Sequence, residues 1–162
     1  MKYILLILTS GLLLACRSNK IAQENPKESI LWTKTDFKPS KDLVMPNAYT
    51  SYFLNVDLFK EQLQAGEVNL PMPDGSMSKH KVEDSQTMTA ELQLKYPQIR
   101  SYKGYDLNHS VCQSRIDQKN DIMKCVVYCN DATIYIQELH DLGLHFVFYK
   151  KDLPQGVGTV NE

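Results

Sequence analysis

The residues best able to do chemistry in this chain are its four cysteines and four histidines. His140 and His145 are five apart, which suits neither the one-turn spacing of a helical zinc pair nor one face of a strand. His80 and His109 read as surface or turn residues, and no His-Glu-x-x-His occurs to hold zinc beside a general base. Cys125 and Cys129 share a face of one expected strand, about 13 Å apart at strand rise, too far to bridge each other. Cys112 precedes them on the neighbouring strand and can pair with either Cys125 or Cys129, leaving one thiol over. These cysteines read as buried apolar side chains with a single structural disulfide at most. No pairing of nucleophile and base stands out, so an enzyme is not expected, and no metal or cofactor is implied.

Cys16 is different, because it closes the segment MKYILLILTSGLLLAC. Lys2 supplies a positive start, residues 3–12 an apolar stretch too short to span a bilayer, and Ala15 a small residue directly before the cysteine. The arrangement resembles a bacterial lipoprotein signal. That resemblance implies cleavage between Ala15 and Cys16, a diacylglyceryl thioether on Cys16, and further acylation with a palmitate-type chain at the new amino terminus. Two or more chains anchor stably where one does not. The expected location is the bacterial cell envelope, lipid-anchored to a membrane, the outer one by expectation.

The elements that follow must position whatever the domain presents. Residues 1–15 are read as signal peptide, 16–29 as lipidated cysteine and polar tether, 30–153 as one domain, and 154–162 as a tail. With a formal charge of −1, the chain has no basic excess pointing to nucleic acid. A polar stretch at 34–46 carries Pro39 and Pro46 behind an apolar island, Ile30-Leu31-Trp32. Residues 50–56 are β-branched and aromatic, a strand. Asp57 is placed to cap a short helix in which Phe59 and Leu63 lie one turn apart before Gly66 stops it. Asp74-Gly75 marks a hairpin between 68–70 and 77–82. Thr89 is an N-cap residue for a second helix, with Leu92, Leu94 and Tyr96 as its apolar side chains and Pro97 ending it. Strands are expected at 99–102, 111–116, 122–128, 133–136 and 144–149, joined too tightly to be parallel. The fold class expected is therefore α+β, an antiparallel sheet with a C-terminal meander and two short helices packed on it.

Residues 55–63, 70–75 and 88–104 together resemble the amino-terminal propeptide of Bacteroidetes-type, reprolysin-like zinc metallopeptidases. The densest match is Leu94-Lys95-Tyr96-Pro97-Gln98-Ile99-Arg100-Ser101-Tyr102-Lys103-Gly104. The order continues through residues 133–136 and 148–152, where such propeptides lead into the enzyme. This chain departs from the pattern in lacking a catalytic domain, and in carrying 121–125 where the family has a Gly-Phe-His-Ala-like segment.

The resemblance implies a non-catalytic, lipid-anchored envelope protein that binds a zinc metallopeptidase in trans and inhibits it or helps it fold. A structural or adhesive surface lipoprotein is the alternative. Tyr96, Pro97, Ile99, Tyr102 and Gly104 are expected to shape the fold. Partner contact is expected at Pro71, Met72, Pro73, Asp74 and Gly75 and along 152–162. A leftover thiol acting on a partner's zinc is a further option, since thiolate is a strong zinc ligand.

Overall fold

A computed structural model describes residues 30–40, 43–109, 111–139 and 143–155. The expected signal peptide, Cys16 and the tether lie outside the described residues, as do His140 and 156–162. Nine strands form one sheet: β1 (Trp32–Thr35), β2 (Thr50–Leu54), β3 (Glu67–Pro71), β4 (Met77–Asp84), β5 (Ile99–Asp106), β6 (Gln113–Lys119), β7 (Ile122–Cys129), β8 (Ala132–Leu139) and β9 (Leu144–Tyr149). Their spatial order is β1-β2-β9-β8-β7-β6-β5-β4-β3, with every neighbouring pair antiparallel.

The α+β expectation, with its meander and layer of helices, is corrected: the fold is predominantly β, a curled half-barrel. The physical reason lies in what the helices bury. Helix α1 (Val56–Ala65) fully buries only Phe59 and Leu63, with Val56 and Leu58 partly buried against the core, and helix α2 (Ala90–Lys95) buries nothing, so neither makes a second layer. The sheet instead curls to bury its own concave face. Ile116, Met123, Cys125, Val127, Ile134, Ile136 and Val147 line that face.

Helix α1 joins β2, beside one edge of the sheet, to β3, the opposite edge. Asn55, not Asp57, is its cap: the Asn55 side chain accepts a bond from the Leu58 N–H at 3.2 Å, and Asp57 falls in the first turn. Gly66 ends the helix at φ +81°, the left-handed conformation that glycine adopts without a Cβ penalty.

An odd number of antiparallel strands leaves the two edges, β1 and β3, running in the same direction across an open seam. Trp32 bridges it. Its indole Nε1 donates to the Asn69 carbonyl at 2.8 Å, and Gln62 Oε1 accepts from the Asn69 N–H at 3.1 Å. Both outward backbone groups of Asn69 are thereby satisfied, and Pro71, two residues on, has no N–H to offer, so β3 is a poor template for strand addition. The indole packs edge-on against Phe59, His145 and Tyr52 at centroid distances of 5.7, 5.4 and 6.3 Å.

A second, smaller cluster lies on the convex face, where Leu144, Phe146 and Phe148 of β9 are covered by Phe37, Met45, Tyr49 and Leu153. Phe37 and Tyr49 meet Phe146 edge-on at 5.6 and 5.3 Å. The polar stretch after β1 is thus a strap, pinned by its few apolar residues, which explains why β9 is buried on both faces.

Candidate functional site

The segment densest in the propeptide resemblance folds as α2 followed by β5. The Thr89 hydroxyl accepts from the Leu92 N–H at 3.4 Å, and Glu91 sits in the first turn where the helix dipole favours it. Nothing of the helix is buried: Leu94 is 84% exposed, Leu92 43% and Tyr96 38%, with the Lys95 ammonium 5.5 Å from the Tyr96 ring centroid. Tyr96 and Pro97 are exposed at the surface, and Tyr96 closes the helix as its C-cap, its N–H donating to the Leu92 carbonyl at 2.8 Å. Tyr102 packs against the main core and Ile99 is half-buried. At Gly104 a Cβ would fall 2.5 Å from the Lys81 carbonyl oxygen and 2.7 Å from Val82 Cγ1, so no larger residue fits without moving β4.

The 71–75 segment is a tight turn between β3 and β4. Pro71 is buried, Met72 packs on the core, and only Asp74 is fully exposed. The Asp74 carboxylate accepts from the Ser76 hydroxyl at 2.7 Å and its N–H at 2.9 Å, and these bonds hold its pKa below the usual value. Gly75 supplies the positive φ of +90°. Such a turn offers a partner a rigid tip of small area. Asp152 is fixed by its carbonyl, which accepts from the Asn47 N–H at 2.8 Å.

Cys112 is bonded to Cys129, tying the approach to β6 to the end of β7. Cys125 is the remaining described thiol, buried in the core, and that burial pushes its pKa far up. A thiol so placed cannot reach a zinc ion in another protein while the sheet stays folded. Replacing Cys112 and Cys129 together by serine opens a loop of 17 residues. It is expected to lower stability by about 3 kcal/mol, read as a shift of the urea midpoint.

His80, expected at the surface, is fully buried on the concave face. The alternation in β4 points Ser78, His80 and Val82 inward, and a polar-looking strand concealed this. Its register partner Asp106 is also buried. Burial alone would raise the Asp106 pKa. Bonds from the Ser78 hydroxyl at 2.6 Å and from the Asn108 and His109 N–H groups at 2.7 and 3.1 Å outweigh that and keep it low. These bonds fix the loop after β5. His109, largely exposed, has Nδ1 3.3 Å from Asp106 Oδ2. His145 is buried beneath Trp32, with neither ring nitrogen hydrogen-bonded among the described residues. Among those residues no three His, Cys, Asp or Glu side chains come together as a metal site, and no helix is long and apolar enough to cross a membrane.

Neither a protein-family model, nor a curated protein, nor a solved structure matches this chain. The surface of α2 is accordingly argued from its own chemistry. Two large apolar side chains of the six-residue helix, Leu92 and Leu94, and its C-cap Tyr96 are exposed. Leu92 and Tyr96 lie four residues apart on one side and Leu94 faces away from both, so they form no single patch; Leu94, 84% exposed, leaves the most apolar surface for a partner to cover.

Proposed function

We propose that the chain is a non-catalytic, lipid-anchored protein of the bacterial cell envelope whose domain binds a reprolysin-like zinc metallopeptidase in trans, covering the enzyme or assisting its folding. The observation that carries the reading is α2. Leu92, Leu94 and Tyr96 lie within or beside the stretch most similar to metallopeptidase propeptides, yet they contribute nothing to the core. A binding role gives these side chains a use that folding does not. The sequence around Cys16 supports the anchor, and the lipid holds the domain at a membrane surface where an exported peptidase passes.

Two measurements test the reading. Cys16→Ser should abolish lipidation, leaving uncleaved precursor or protein released from the detergent phase. Retention with the membrane after high-salt washing would overturn the anchor. Crosslinking in the native envelope, followed by purification of the full chain, should recover one zinc peptidase in stoichiometric amount. Recovery of only surface polymers or of no peptidase would favour the structural or adhesive reading.

A further inference from the structure

The geometry points to a second binding surface, on the convex face of β4–β7, whose ligand is an acidic glycan chain. It goes beyond the peptidase reading and does not depend on it, because it rests on strands and not on α2.

Lys81, Tyr105, Gln113 and Tyr128 form one cross-strand row, each in register with the next. The convex face carries them all, and Tyr105 and Tyr128 are 45% and 50% exposed. They stand two strands apart, roughly 9–10 Å at the spacing of neighbouring strands. That separation matches rings i and i+2 of a β-1,4-linked pyranose chain, with one sugar between them. A pyranose presents an apolar face of C–H bonds whose slight positive charge suits the negative face of an aromatic ring. Gln113, between the two tyrosines, offers a carbonyl acceptor and two N–H donors to the hydroxyls of a bridging sugar. Beside the row, Lys81, Glu83, Lys103, Tyr105 and Gln113 line an open depression of about 390 Å³.

Charge selects the kind of glycan. The outward positions of β4–β7 hold Lys79, Lys81, Lys103, Arg115, Lys119 and Lys124 against Glu83 and Asp117. Glu83 is 3.3 Å from Lys103 and Asp117 is 3.1 Å from Arg115, while Lys79 is engaged by Glu67 of β3 at 2.5 Å. Lys81 and Lys124 form no ion pair among the described residues. A face this cationic, on a chain whose formal charge is −1, complements a polymer bearing carboxylates. A single-stranded nucleic acid is also acidic and stacks on aromatics, but its bases recur at roughly 3.4 Å along a stacked strand, and a platform with two rings so far apart suits it less well.

The test is calorimetric titration of the full chain in detergent with β-1,4-linked hexamannuronate, which carries a carboxylate on every sugar. Neutral cellohexaose and oligothymidylate are the comparison probes. Hexamannuronate should bind at low salt and weaken as salt rises. Tyr105→Ala and Tyr128→Ala, singly, should each weaken binding roughly tenfold without moving the thermal midpoint, since both side chains are half in solvent. Lys81→Gln should weaken it less and flatten the salt dependence. The inference is overturned if hexamannuronate does not bind, if both tyrosine variants bind as the native protein does, or if oligothymidylate binds more tightly. Equal affinity for cellohexaose would overturn the acidic character of the ligand.

Discussion

Trp32→Ala is expected to cost about 4 kcal/mol of stability, within the range for removing a large buried aromatic. Trp32 is 6% exposed and meets three rings on the concave side of the sheet. Its second role is at the seam, where Nε1 is the described hydrogen bond joining β1 to β3 across the opening. Trp32→Phe keeps an aromatic ring against Phe59 and Tyr52 but loses that bond and some volume, so it should cost less, roughly 1–2 kcal/mol. Urea denaturation of both variants separates the two contributions. Equal losses would mean that the indole N–H, not the packing, holds the seam.

The second large effect is on acid stability. Burial lowers the His145 pKa from 6.5 to about 4. The folded protein therefore keeps the ring neutral where the unfolded chain would protonate it. Between those two pH values the unfolded state binds the extra proton, so stability falls as pH drops below about 6.5 and this contribution levels off below about 4. The integrated loss is about 3 kcal/mol. His80 acts in the same direction, lowered by burial and partly offset by the nearby Asp106 carboxylate. His145→Phe fills a similar volume without a titratable group, and it should flatten the stability profile between pH 6.5 and 4. A profile as steep as that of the native protein would show that the acid response comes from other groups.

Local features of the chain were legible because their chemistry is local. Thr89 caps α2, Gly66 ends α1, Asp74-Gly75 turns the β3–β4 hairpin, and β9 spans Leu144–Tyr149 as the residue types suggest. What could not be read was the curl, and with it the fold class. It depends on Trp32 reaching Asn69, 37 residues away, and on a strap whose apolar residues are scattered among prolines and charges. The burial of His80 is hidden in the sequence for a related reason. The inward face of β4 is built from Ser78, His80 and Val82, so alternation there carries a weak hydropathy contrast. The α2 surface was visible only as three apolar residues ahead of a proline. A pattern of that kind indicates a packed helix by default, and only the exposure of Leu94 shows otherwise.

The central claim is that α2 binds a zinc metallopeptidase of the same envelope. The most direct measurement is calorimetric titration of the full chain in detergent against each such peptidase, alongside Leu94→Asp, which changes a side chain 84% exposed and so should leave the fold intact. The expected result is a 1:1 complex with one peptidase, an interface of about 1,200–2,000 Å², no cleavage by the chain itself, and binding weakened at least roughly tenfold by Leu94→Asp. Absence of binding to every peptidase, or a complex indifferent to Leu94→Asp, would contradict it.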